Sequence, residues 1–310
     1  MMDNNEPSTD LLILHSALRD YFATMQVLIK SFIKSGERMD LHQFRVVSRR
    51  IHSIAIILGK LTKNDRYLTF GQWVREIVRP SNQLRDIDEA IAYLKCMAMT
   101  DDASTDFRKY LLFQRNKQFK KVKKSFNKLV ISDQFNKVGS FFENGKNFQL
   151  KSDVRHQIAK GREKIQKRAT LFNDDPSRER IHELRIEVKR YRYFLEPLGK
   201  DQKTIKLCKK IQDYIGLIHD REIQLHLFFS WMKRRFYLSG TTLKHMEKDI
   251  LKGFSSKQTI ENYLAQFEGK IPMEECKMIA QYIVTDRDVV YEEFLLFWES
   301  DNVRKSALLN

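Results

Sequence analysis

Apolar residues in this chain return at steps of three and four rather than in alternation. The spacing predicts helices near 9–35, 40–59, 66–79, 83–100, 104–131, 150–172, 178–196, 201–217, 219–238, 241–251, 256–267 and 272–299. No segment alternates as a strand does, so an all-α fold is expected. Two helix starts are marked locally: Asp40 reads as the cap of the second helix, and Pro176-Ser177 precedes the seventh. The stretch 133–149 is rich in Gly and Asn and loses the helical period, which makes it a boundary between halves.

Composition sharpens this picture. In 310 residues there are 11 Gly and 5 Pro, well below the usual shares of roughly 7% and 5%, so strand and turn punctuation is scarce. Hydrophobic residues make up 42% of the chain, too many for a disordered basic tail. The 56 Lys and Arg exceed the 40 Asp and Glu by 16, so a folded body carries a strong cationic field that attracts polyanions. Three scattered cysteines (Cys96, Cys208 and Cys276) fit neither a disulfide framework nor a thiolate metal site, and a reducing, cytoplasmic compartment is expected. The polar, acidic start does not read as a signal peptide, and no apolar run approaches the roughly 18 residues of a membrane span.

The charge is patterned. Residues 41–60 (LHQFRVVSRRIHSIAIILGK) and 181–200 (IHELRIEVKRYRYFLEPLGK) are identical at six of twenty positions, at an offset of 140. A second echo, LRDIDEAIAYL at 84–94 and IHDREIQLHLF at 218–228, follows at an offset of 134. On a helix turning about 100° per residue, Arg45, Arg49, Arg50 and His52 lie within about 80° of His42. Phe44, Val47, Ile51, Ile54 and Leu58 fall on the opposite, apolar side. His182, Arg185, Lys189, Arg190 and Arg192 repeat those angles over a buried side of Leu184, Tyr191, Phe194 and Leu198, into which Glu187 intrudes as a paired, structural carboxylate.

An ordinary solvated helix face mixes signs at a spacing of four, but residues 41–64 contain no acid. Residues 108–128 carry nine Lys or Arg, Lys117, Lys120, Lys121 and Lys124 among them, again with no acid, around an apolar ladder of Phe119, Val122, Phe126 and Leu129. Residues 146–168 add eight more bases against Asp153 and Glu163. Like charges at this density repel one another unless an anion resides among them.

The helices HQFRVVSRRIHS (42–53) and IHELRIEVKRYRYFLE (181–196), followed by RDIDEAIAYL and HDREIQLHL, resemble the two halves of a CHAD domain, the conserved histidine α-helical domain. The resemblance spans residues 8–299 as a single domain, with half-repeats 8–132 and 150–299 joined by 133–149. It implies two related helical bundles about a pseudo-twofold axis, with a basic central groove or pore that binds inorganic polyphosphate. His42, Arg45, Arg49 and Arg50 would face His182, Arg185, Lys189 and Arg190 there, beside Arg192. Some members of the family associate with polyphosphate granules, and some are fused to a triphosphate tunnel enzyme domain whose acidic start is absent here. The family usually has Arg where this chain has His52, so the first stripe is expected to be only partly charged at neutral pH.

Each of these residues also has a plainer reading. His42 and His182 suit either phosphate contact or hydrogen bonding at a helix junction, and the lysines at 117, 120, 121 and 124 suit either binding or solubility. Arg donates two parallel hydrogen bonds to phosphate oxygens and Lys a mobile point charge, so their mixture suits a repetitive phosphate chain. Phe44, Phe119, Phe126 and Tyr191 fall on apolar faces, away from the charge, and Tyr193 lies at the flank of its stripe. The sequence therefore offers more to phosphates than to bases, leaving weak non-specific nucleic-acid binding as an alternative alongside docking of an acidic protein. No glycine-rich phosphate loop, GxSxG elbow or HExxH occurs, so no enzyme and no cofactor is expected. No histidines sit four apart, and His219 and His226 are seven apart, so no metal site is expected. The acids Asp86, Asp88 and Glu89 and the pair Asp220 and Glu222 suit either a divalent ion or, as the plainer reading that is preferred, neighbouring arginines with which they fix the bundle.

Overall fold

The computed structural model describes residues 9–62, 64–133, 135, 138, 153–252, 257–304, 306, 308 and 309. The fold is all-α, with no β-strand among the described residues. In chain order the helices are α1 (Thr9–Ser35), α2 (Arg38–Leu61), α3 (Arg66–Val78) with a 3-10 turn (Arg79–Ser81), α4 (Asn82–Met97), α5 (Asp102–Val130), α6 (Val154–Asp174), α7 (Arg178–Leu198), α8 (Gln202–Arg235), α9 (Gly240–Lys252), α10 (Lys257–Ala265), α11 (Met273–Glu299) and α12 (Asp301–Arg304). Pro176-Ser177 directly precedes α7, as its sequence signal predicts. Of the expected connecting segment 133–149, all but residues 133, 135 and 138 lies outside the described residues.

Two local expectations are corrected. Asp40 does not cap α2, which begins two residues earlier. Its Oδ2 instead accepts the hydroxyls of Ser31 and Ser35 at 2.7 and 2.8 Å, tying the last turn of α1 to the first turn of α2. Between those helices Gly36 holds φ +69°, and a Cβ there would lie 2.9 Å from the Phe119 ring. The segments expected as two helices, 201–217 and 219–238, form the single helix α8. Gly216 does not break it, because Ile211, Ile215, Ile218 and Leu225 bury one apolar stripe through that point.

The chain divides into two compact units, each assembled from three stretches. One comprises residues 1–85, 118–167 and 186–208, and the other 86–117, 168–185 and 209–310. The first unit's core holds the apolar side of α1 (Leu11, Leu14, Leu18, Phe22, Met25, Ile29 and Phe32), that of α2, and Val122, Phe126, Phe194 and Leu198. Edge-on aromatic pairs join it: Phe44 and Phe32 both meet Phe126, at 4.9 and 5.7 Å between centroids. The apolar positions predicted on α2, Phe44, Val47, Ile51, Ile54 and Leu58, are all buried.

The second unit packs Phe107, Phe228 and Trp231 with Leu225, Met232, Ile279, Ile283 and Val284. Of the acids read as arginine partners, Asp88 and Glu222 are so engaged: Arg115 Nε donates to Asp88 at 2.7 Å, and Arg178 donates twice to Glu222 at 2.6 and 3.0 Å. No described helix is long and apolar enough to cross a membrane.

Candidate functional site

Burial of one side of α2 dictates what its other side presents. With Ile51, Ile54 and Leu58 in the core, His52, Ser53, Ile56 and Lys60 are turned outward. On α7, burial of Tyr191 and Phe194 turns Glu187 and Arg190 outward in the same way. Helices α2, α3, α6 and α7 thereby enclose a groove of about 760 Å³ in the first unit. Its cationic lining is Lys60, Arg75, Lys160, Lys164 and Arg190, joined by His52; its acids are Asp65 and Glu187, and Ile56, Ile57 and Leu68 contribute an apolar strip.

Two glycines set the groove's shape by close approach. A Cβ at Gly59 would sit 2.5 Å from Leu68 Cδ2, and one at Gly161 would sit 2.7 Å from Tyr191 Cδ2. The Leu68 end has room to turn, whereas the Tyr191 ring is buried and rigid. Gly161→Ala is therefore expected to destabilise the protein by about 1–2 kcal/mol, the cost of overpacking less the gain in helix propensity. A denaturant midpoint measured at unchanged slope checks this.

The cations of the groove press on one another. Lys60 is held below the usual lysine range by burial first, then by Lys164 and Arg190, with Glu187 opposing. The His52 ring is also held below its ordinary value, by burial first. Its Nδ1 lies 2.8 Å from the carbonyl oxygen of Gly71, which favours the charged ring, while Arg75, Arg190 and Lys189 oppose that charge. Chemically this is a site that gains from the arrival of negative charge.

The structure distributes the predicted stripe residues unevenly. Of those assigned to polyanion contact, only Arg190 lines this groove; His52, read as a partly charged member of the first stripe, joins it. Arg45 is corrected from exposed stripe to buried residue, because its Nη1 donates to Ser81 Oγ at 3.0 Å and Asn82 Oδ1 at 2.6 Å. Arg50 and Arg192 both meet the Glu196 carboxylate, at 3.1 and 3.3 Å, and their guanidinium groups lie over the rings of Tyr21 and Tyr193. His42 is exposed on α2, and Arg49 and Lys189 are half-buried. Glu187 is paired as expected, with Arg190 at 2.8 Å, and Tyr193 is buried.

His182 and Arg185 belong to the second unit, where they line a smaller groove of about 290 Å³ with Arg178, His219 and Glu222. The His182 and His219 rings are 6.3 Å apart. On α5, Lys117, Lys120, Lys121 and Lys124 are exposed, and Lys120 and Lys124 border a shallow depression with Lys123 and Lys128. Among the described residues no group of three or more His, Cys, Asp or Glu is placed to hold a metal ion. Nothing in the helical periodicity marks Lys60, Arg75, Lys160 or Lys164 for this groove. Lys60 does close the repeated LGK triplet, and Lys160 and Lys164 belong to the basic run 146–168.

A family model for the CHAD domain matches residues 16–228. No curated protein matches the chain by sequence. Among solved structures, the crystal structure of the CHAD domain from the plant Ricinus communis is similar, with a TM-score of 0.62 at 14% identity, over 92% of this chain and 94% of that one. At that identity the likeness concerns the fold, and it agrees with the helical architecture above. Matched over more than two thirds of its length by the family model, the chain belongs to the CHAD domain family.

Proposed function

We propose that the protein binds inorganic polyphosphate without covalent chemistry, and that the groove of the first unit is a principal contact surface. The observation that carries this reading is the convergence of Lys60, Arg75, Lys160, Lys164 and Arg190 from four helices against two acids. Bidentate arginine and mobile lysine donors suit the oxygens of a phosphate chain, and release of condensed counterions supplies the affinity. The aromatic rings of the groove wall, Tyr191 and Phe194, are buried, so this site has no platform on which bases could stack. The family resemblance supplies the polyphosphate itself, and with it a cytoplasmic or granule-associated setting. One observation favours nucleic acid as a second reading: Phe113 is exposed on α5, one turn from Lys109 and one turn from Lys117.

Calorimetric titration with long-chain polyphosphate tests this reading, with single-stranded RNA of matched charge as competitor. Five neutralised phosphates give a log–log salt slope of about −3.5 at roughly 0.7 per phosphate. A polyanion also offsets the cationic repulsion on His52, so the ring takes up a proton and binding tightens as the pH falls through the histidine range. RNA binding as tightly as polyphosphate at the same salt would refute the preference for a bare phosphate chain.

A further inference from the structure

The exposed apolar residues at the end of the second unit fall into a line on one helix. Helix α11 buries Cys276, Ile279, Ile283, Val290 and Phe294 on its inner side. It leaves Met278 (47% exposed), Tyr282 (44%), Val289 (46%) and Leu296 (73%) in water. At about 100° per residue these four lie within about 40° of one another, at steps of four, seven and seven, so that from Tyr282 onward one apolar residue per heptad faces outward. Elsewhere among the described residues, exposed large apolar side chains occur singly or in sequence pairs, as they ordinarily do on protein surfaces. The Tyr282 ring is braced from one side by Tyr93, 6.1 Å away, whose own ring lies beneath Arg221. The seam is thus partly preorganised.

The charge around it is opposite to that of the whole chain. Residues 273–299 contain seven acids and two bases, in a protein of net charge +16. Glu274, Glu292 and Glu299 are exposed along one edge of the apolar line, about 55–75° from its axis, and Glu293 is exposed about 45° from it on the other edge.

We propose that this face of α11 is a docking seam for a basic amphipathic helix of a partner protein, its apolar residues seated on Met278, Tyr282, Val289 and Leu296 and its Lys or Arg beside the glutamates. Charge complementarity selects this occupant over a second copy of the chain. A twofold antiparallel pair of α11 helices would set the acidic edge of one beside that of the other, with Glu274 level with Glu299, and like charges opposed in this way destabilise a helix pair.

The test uses the whole protein and a labelled synthetic helical peptide of three heptads, with Leu at the seam positions and Lys flanking them. Fluorescence anisotropy against this peptide is compared with a Glu-flanked version and with a scrambled Lys peptide of the same composition. The Lys-flanked helix is expected to bind saturably, and the double variant Val289→Lys/Leu296→Lys to weaken it by about tenfold or more, as removal of central anchors does. Both positions are exposed, so helicity by circular dichroism should be unchanged, and neither lies in the groove, so polyphosphate binding should be unaffected. The proposal is overturned if the scrambled or Glu-flanked peptide binds equally well, if the ordered peptide does not bind, or if the double variant binds it unchanged. A wild-type dimer in sedimentation that Leu296→Lys dissociates would assign the seam to a second copy instead.

Discussion

Replacing Lys60 and Lys164 together by Glu is expected to weaken polyphosphate binding by at least about 100-fold while leaving the fold intact or slightly firmer. Two charge-assisted contacts, each contributing about 1.5 kcal/mol, are lost, which already amounts to roughly two powers of ten, and the reversed charges then repel the chain. The stability expectation has the opposite sign because Lys60 is among the cations that strain this groove. Burial, Lys164, Arg190 and Lys160 all disfavour its charged form, with Glu187 opposing. In the double variant positions 60 and 164 stay like-charged, but a carboxylate at 60 attracts Arg190 and Lys160 where the lysine repelled them, which offsets its repulsion from Glu187. Titration calorimetry reads the affinity and thermal melting reads the fold. The combination of lost binding and a retained or raised melting temperature would mark a surface that holds repulsion in reserve for an anion. Lys120→Glu/Lys124→Glu on α5 is the companion variant. If it abolishes binding and the groove variant does not, the contact surface is the exposed lysine face.

Neither Lys60 nor Lys164 stood out in the sequence, and the reason is geometric. Helical periodicity reports the direction in which a side chain leaves its own helix. On α2 it placed Phe44, Val47, Ile51, Ile54 and Leu58 in the core correctly. It says nothing about what arrives over the opposite face. Arg45 stood on the cationic side of the wheel, yet Ser81 and Asn82, 36 and 37 residues further on, fold over it and take its donors. Arg50 finds Glu196 across 146 residues of sequence. In each case the partner comes from a helix whose adjacency no local pattern encodes. The LGK triplet, by contrast, is legible at both 58–60 and 198–200, and its two lysines part company in the structure: Lys60 lines the groove while Lys200 pairs with Asp10. Recurrence of a triplet in the sequence thus does not convey that its two lysines share one role.

The same distinction between a charge held for a ligand and a charge held by the fold governs Arg178. Its bidentate bond to Glu222 reaches a carboxylate that is almost fully buried, while Arg178 itself stays partly open to water. Burial alone would raise the Glu222 carboxyl; hydrogen bonds from His219 and Arg178 overcome that and hold it below the ordinary value of 4.5. A carboxyl depressed in the folded state contributes stability that is present above the unfolded value and is lost as the pH falls below it. Arg178→Met should therefore cost about 2–3 kcal/mol at neutral pH, because it strands a buried carboxylate, and less than a fully enclosed pair would, because water screens the arginine side. It should also weaken the local pH dependence. With only His219 left to oppose burial, the Glu222 carboxyl rises, and the variant loses less stability than the parent protein as the pH falls toward the carboxyl range. Adding Glu222→Gln removes the stranded charge and should restore most of the loss at neutral pH, since exchanging both partners leaves no buried ion unsatisfied. Denaturant unfolding of the single and double variants between about pH 4 and pH 7 measures all three terms, and a single variant as stable as the parent at pH 7 would show that this ion pair does not hold the second unit together.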